Sequence, residues 1–157
     1  MLHELLIYCP ETGAFRRLKS SGPELAGTIA GTINSHGYVA IRVGGRRYKA
    51  HRLAWFFAYG KWPTGQIDHA NRNKADNRLA NLREASPQQN RVNCVRPSRR
   101  AKTGFMGVEA KRGKFAAAVR INGIRHHLGT FLSPEEASAV YQAAAKKAFG
   151  QFFEARP

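Results

Sequence analysis

Apolar positions follow two different rhythms along this chain, and the rhythm changes about two-thirds of the way through. The first part reads as short strands broken by turns. Leu5-Leu6-Ile7-Tyr8 is followed by Pro10-Glu11-Thr12-Gly13, a proline-to-glycine turn, and then by Phe15-Arg16-Arg17. Tyr38–Val43 and Arg46–Lys49 flank Gly44-Gly45, which supplies the positive φ of a tight hairpin turn. An apolar helix from about His51 to Tyr59 should follow, closed by Gly60 and Pro63.

From Thr103 onward the pattern predicts three strands, Phe105–Glu109, Lys114–Asn122 and Ile124–Gly129, the last two joined through Asn122-Gly123. A helix opens at Ser133-Pro134-Glu135-Glu136. Serine can cap its free amides, proline suits the first helical position, and Glu136 completes a capping box. Ala137, Val140, Tyr141, Ala144, Ala145 and Ala148 then recur three and four apart, up to Gly150. Residues 93–102 show no apolar period and read as an extended basic linker. The expected organisation is therefore α+β, with domains at 1–92 and 103–157 on either side of that linker.

Charge changes the picture. Of 157 residues, 26 are Lys or Arg against 10 Asp or Glu, a net +16 distributed over both parts. Solubility asks for only ~2–8 charges on a small domain, so the excess implies a polyanionic partner, nucleic acid before membrane surface. The longest apolar stretch, near Leu53–Tyr59, is too short to span a bilayer. The N-terminal residues lack a basic leader. Cys9 and Cys94 are far apart, with no Cys-x-x-Cys pair, which excludes a cysteine zinc cluster and fits a reducing cytosol.

Most of the potential chemistry lies between Ile67 and Arg83, where a carboxylate stands beside an imidazole and carboxamides follow. Cutting a phosphodiester requires a base for water, neutralisation of phosphate charge and stabilisation of the departing oxygen. Histidine is the natural base near neutral pH. A hard divalent cation on Asp and Asn oxygens would meet the other two needs.

Asp68-His69, then Asn81 and Asn90, together with Tyr48-x-x-His51-Arg52-Leu53-Ala54-Trp55 and Asn77-Arg78-x-x-Asn81-Leu82-Arg83, resemble the HNH endonucleases of the phage and intron-encoded homing type. The likeness covers roughly residues 5–93. It implies a ββα-metal fold: two short strands and a helix around one cation, Mg²⁺ or Mn²⁺. It further implies that Asp68 and Asn90 bind the metal, that His69 is the general base, and that Asn81 hydrogen-bonds and orients the imidazole. The implied reaction leaves a 5′-phosphate and a 3′-hydroxyl on double-stranded DNA. It would be carried out by a monomer in the cytoplasm of a bacterial or phage-infected cell. His51 reads as a structural histidine, Asn71, Asn73, Asp76 and Asn77 as loop-forming residues, and Trp55, Phe56, Phe57, Tyr59 and Trp62 as core aromatics.

Gly107-Val108, Gly113-Lys114-Phe115-Ala116-Ala117, Leu128-Gly129-Thr130-Phe131 and Pro134-Glu135-Glu136-Ala137 are similar to the plant ethylene-response-factor (APETALA-two type) DNA-binding domain, over about 104–153. That likeness implies a three-stranded sheet laid in the DNA major groove with a helix behind it. Strand alternation puts Lys114, Ala116, Ala118 and Arg120 on one face and Phe115, Ala117, Val119 and Ile121 on the other, against the helix. Lys111, Arg112, Lys114, Arg120, Arg125 and His127 are the expected DNA contacts, with Arg96, Arg99 and Arg100 of the linker. Met106, Glu109, Arg112 and His127 depart from the plant pattern, so sequence preference does not transfer. The expected function is metal-dependent DNA cleavage. The alternative is a non-catalytic DNA-binding or regulatory protein that retains an inactive HNH module.

Overall fold

A computed structural model of the protein describes residues 2–93 and 103–153. The chain forms two compact units, Met1–Pro87 and Gln88–Pro157. The division falls a few residues before the expected end of the first domain at residue 92. The basic linker, with Arg96, Arg99 and Arg100, lies outside the described residues.

In the first unit β1 (Leu6–Tyr8) and β2 (Phe15–Arg17) form an antiparallel ribbon, with Leu6 opposite Arg17 and Tyr8 opposite Phe15. A second sheet runs β3 (Thr32–Ile33), β4 (Val39–Val43), β5 (Arg46–Lys49). Gly44 and Gly45 turn the β4–β5 hairpin at φ 55° and 75°, the left-handed pair that matches strand twist. Helix α1 (Ala50–Tyr59) starts directly after β5 and ends where Gly60, at φ 70°, returns its amide to the Phe56 carbonyl. A third ribbon pairs β6 (Gln66–His69) with β7 (Leu82–Ala85).

These pieces share one core. Leu6 and Phe15 from the first ribbon, Ile41 and Val43 from β4, Leu53 and Ala54 from α1, and Ile67 and Leu82 from the third ribbon are all buried in it. No ribbon is long enough to bury an apolar face alone, so their packing around α1 fixes the fold. Two of the expected core aromatics lie elsewhere: Tyr59 is 51% and Trp62 38% exposed. Trp62 stacks on Phe56 and Tyr48 at the surface, because the chain has already left the helix at Gly60.

The second unit begins within the short helix α2 (Pro87–Asn93), at Gln88. Strands β8 (Val108–Lys111), β9 (Lys114–Ile121) and β10 (Ile124–Phe131) then form an antiparallel sheet with β9 central. Asn122 and Gly123 make its tight turn at φ 51° and 83°. The first strand starts at Val108 and not at Phe105, because Gly107 takes φ 71°; a Cβ there would meet the Tyr141 ring at 2.2 Å. Helix α3 (Pro134–Phe149) is capped by Ser133 Oγ, which accepts from the Glu136 amide at 3.2 Å. Its Ala137, Tyr141, Ala145 and Phe149 are buried, as are Ala117 and Val119 of β9. The alternation holds for Lys114 and Arg120, which are exposed, and for Ala117 and Val119, which are buried, but Ala116, expected on the outer face, is also buried on this central strand.

Candidate active site

The third ribbon carries the paired carboxylate and imidazole. Asp68 sits opposite Arg83 and His69 opposite Leu82, and both Asp68 and His69 are buried. Adjacent strand positions point to opposite faces, so the two side chains leave β6 in different directions. Arg83 grips Asp68 from the neighbouring strand, its Nε at 2.9 Å and Nη2 at 2.8 Å from the same carboxylate oxygen, Oδ2. No local pattern signals this ion pair, which becomes visible only once the strand register is known.

Between β6 and β7 the chain makes a tightly bonded loop. Arg72, at φ 64°, returns its amide to the His69 carbonyl at 2.9 Å. Asn71 Nδ2 donates to Asp76 Oδ2 at 2.7 Å, and Arg78 donates to both oxygens of the same carboxylate. Those Arg78 bonds hold the Asp76 carboxyl far below the usual range. Asn71 and Asn73 each accept a backbone amide two residues on, at 2.9 and 3.1 Å. The loop-forming role read for Asn71, Asn73 and Asp76 is what the geometry displays.

Asn81 belongs to the same bracing. Its Oδ1 accepts from the Asn71 amide at 2.9 Å and its Nδ2 donates to the Asp76 carbonyl at 2.8 Å. It therefore ties both ends of the loop that follows His69. The carboxamide acting on the imidazole is that of Asn77, which favours the charged ring, as do the Asp68 and Asp76 carboxylates. Burial outweighs these influences and moves the His69 pKa below its ordinary value. Asn77 is itself clamped, because Tyr8 donates its hydroxyl to the Asn77 carbonyl at 2.8 Å. Gly13 lies so close that a Cβ would come within 2.5 Å of the Asn77–Arg78 peptide. The β1–β2 ribbon thus buttresses the loop from behind.

A second histidine and a tyrosine complete the cluster. His51, in the first turn of α1, is 5% exposed and meets His69 edge to face at 5.1 Å between ring centroids. Burial, then the neighbouring His69, Lys49 and Arg52, push its pKa down to about 3, so His51 is neutral at physiological pH. Its Nδ1 is buried and has no hydrogen-bond partner among the described residues. The Tyr38 ring lies 5.3 Å from His51 and 6.1 Å from His69. Arg52 donates to the Pro63 and Gly65 carbonyls, both at 3.2 Å, and steadies the approach to β6. From sequence His51 reads as scaffold and Asn77 as loop, while Tyr38 and Arg83 carry no mark of a site; position in three dimensions brings all four to Asp68 and His69.

The remaining expected site residues lie in the second unit. Asn90 is on α2. Lys111, Lys114, Arg120, Arg125 and His127 are exposed on the sheet, and Arg112 occupies the β8–β9 turn at φ 49°. Arg120 pairs directly opposite Arg125, and His127 opposite Ala118. Arg125 Nη2 makes a 2.8 Å salt bridge to Glu109, a residue that carries negative charge onto this otherwise basic face. Gln88 Nε2 donates to the Arg120 carbonyl at 2.7 Å, and its Oε1 accepts from the Asn122 amide at 3.1 Å.

A divalent cation would find oxygen donors at Asp68. Among the described residues no cluster of three or more His, Cys, Asp or Glu could hold a metal ion. Any such ion must also contend with the Arg83 guanidinium for Oδ2. Among the described residues no helix is long and apolar enough to cross a membrane.

Residues 48–92, which contain α1, both strands of the third ribbon and the braced loop, match the HNH endonuclease family. An uncharacterized HNH endonuclease of Acanthamoeba polyphaga mimivirus is 34% identical over 108 residues, 68% of this chain and 56% of that protein. The chain thus spans just over half the length of this curated relative. A solved structure described as DNA binding and cleavage by the HNH homing endonuclease I-HmuI is 22% identical, with a TM-score of 0.45 over 93% of this chain and 78% of the other.

Proposed function

We propose that this chain, with its HNH endonuclease segment at residues 48–92, hydrolyses phosphodiester bonds in double-stranded DNA with His69 as general base. The observation that carries this reading is the buried imidazole of His69, its pKa lowered by burial, on a hairpin whose following loop is locked by Asn81 and Asp76. A base must be unprotonated and fixed in direction before it can take a proton from water. Burial supports the first requirement and the hydrogen-bonded loop the second. As water attacks phosphorus, its proton passes to His69, the new P–O bond forms, and the bond to the 3′-oxygen breaks, that oxygen taking a proton from solvent to give a 3′-hydroxyl and a 5′-phosphate.

Asp68 is the proposed carboxylate ligand of one divalent cation, Mg²⁺ or Mn²⁺, and the spacing of the family pattern gives Asn90 as the second oxygen ligand. When bound, such an ion neutralises phosphate charge and stabilises the departing oxygen. Asn77 and Asn81 are positioning residues, the first beside the imidazole and the second through the loop. The second unit is proposed to be a DNA-binding module of the ethylene-response-factor type. Its Lys111, Arg112, Lys114, Arg120, Arg125 and His127 would hold DNA, largely through phosphate. The net charge of +16 supports a protein that meets DNA as a monomer, since like-charged copies repel.

Supercoiled plasmid incubated with Mg²⁺ or Mn²⁺ tests the reading. Wild type should produce nicked or linear DNA, chelator should prevent this, and His69→Ala should bind DNA undiminished without cutting. Equal cutting by wild type and His69→Ala would refute the assignment of the base.

A further inference from the structure

Two lysines from separate elements converge on one aromatic ring beside His69. Lys49 ends β5 and pairs opposite Ala40; Tyr38 lies two residues before Ala40, so Lys49 and Tyr38 share a face of the sheet. Lys49 Nζ stands 5.0 Å from the Tyr38 ring centroid. Lys74 reaches the same ring from the loop after His69, its Nζ 4.8 Å from the centroid, and donates to the His36 carbonyl at 3.1 Å. The turn bearing Tyr38 is built for this: Asn34 Oδ1 accepts the amides of His36 and Tyr38, and Gly37 takes φ 83°.

Two ammonium groups at one ring raise the positive potential around it. Exposed cation–π contacts contribute only modestly. Among the described residues neither lysine forms a salt bridge with a carboxylate. The arrangement is therefore a concentration of positive charge suited to an anion, next to the ring that adjoins His69 at 6.1 Å. We propose that Lys49 and Lys74, seated on Tyr38, form a binding site for a DNA backbone phosphate beside His69. This rests on the nuclease reading for its ligand, while its chemistry, two lysine ammoniums against a phosphate monoanion, stands on the geometry of the cluster. Tyr38 acts as the positioning residue that holds both cations in place, and the Lys74–His36 bond fixes one of them to the rigid turn.

The test uses the full chain, a fluorescent duplex of arbitrary sequence and a supercoiled plasmid. Every phosphate that a lysine neutralises adds about 1 to the slope of log affinity against log salt, and removing that lysine takes it away. Lys49→Gln with Lys74→Gln should lower the slope by about 1 and reduce nicking at least about tenfold, leaving the unfolding temperature in place. The Lys49→Arg, Lys74→Arg pair should restore the slope, and Tyr38→Leu should lower it although both ammoniums remain. Should the double glutamine variant unfold, the two single variants read the same slope. If wild type nicks DNA and the glutamine variants keep its slope, the phosphate site is overturned and hydrolysis stands. If wild type never nicks and the variants lower the slope, the phosphate site stands and the nuclease falls.

Discussion

Replacing Arg83 by Met should strip the third ribbon of much of its stability. The guanidinium places two N–H donors on one oxygen of Asp68, at 2.9 and 2.8 Å, and the two side chains are only 16% and 6% exposed. Methionine keeps the apolar stem but leaves a carboxylate in a site that water barely reaches. Breaking a buried pair from one side costs about 3–5 kcal/mol, against about 0–1 kcal/mol for an exposed one. Partial exposure of Arg83 argues for the lower end, about 3 kcal/mol. For a unit of this size that corresponds to a fall of roughly 12–24 °C in unfolding temperature. Asp68→Asn should cost less, because the amide oxygen can still accept from Arg83. The double variant should recover part of the destabilisation seen in Arg83→Met, with a coupling of about 2 kcal/mol.

Tryptophan fluorescence is a suitable assay, because the chain's two tryptophans, Trp55 and Trp62, both lie in Met1–Pro87 and report on that unit alone. The cycle also tests the cation. If Arg83 and a divalent ion contend for the same oxygen, Mg²⁺ should raise the unfolding temperature of Arg83→Met more than that of wild type. A free ion at a hundred times its dissociation constant contributes about 2.7 kcal/mol. A loss under about 1 kcal/mol in Arg83→Met would mean the pair behaves as a surface contact, and the reasoning would fail.

Acid should destabilise the first unit earlier than carboxylate titration alone predicts. His51 is neutral in the fold, with a pKa of about 3, and protonates near 6.5 when unfolded. Between those values the unfolded chain binds the extra proton, so stability falls as pH drops through 6.5, by up to about 1.4 kcal/mol per unit. Denaturant midpoints at pH 7, 6 and 5 should fall more steeply for wild type than for His51→Gln; parallel slopes would refute the linkage. On the sheet of the second unit, Arg120→Glu with Arg125→Glu should weaken binding to a labelled duplex and flatten its salt dependence. Unchanged affinity would assign the DNA contact to another surface.

The range of each interaction decides what the sequence makes legible. The Gly44-Gly45 and Asn122-Gly123 turns and the Ser133 cap are encoded within a few residues, and they stand where local pattern puts them. Strand β8 starts later than its apolar pattern predicts because Gly107 must clear Tyr141, a contact across 34 positions that local pattern does not register. The Asp68-His69 pair is visible as chemistry, but its setting is not. His51 reads as scaffold because an apolar helix start predicts burial and says nothing about what lies against the ring. Arg83 and Tyr38 become site residues only through register, and Asn77 through the Tyr8 and Gly13 contacts that pin its backbone.

The positive surroundings of His69 serve two ends that pull in opposite directions. A base is useful only when unprotonated, and an imidazole in a strongly basic protein is kept so by burial and by cations such as Lys74. A phosphate bound at the proposed lysine site would partly cancel the effect of Lys74 on the ring. Under the proposed mechanism the imidazole would then become a stronger base with substrate present, and the imidazolium formed by proton uptake would face an anion beside Lys74. Asp68 and Asp76 oppose Lys74 and favour the charged ring. His51 has no carboxylate among its influences and stays neutral throughout. Two histidines in edge-to-face contact at 5.1 Å thus differ in their surroundings, and the proposed mechanism assigns proton transfer to His69, the one with carboxylates acting on it.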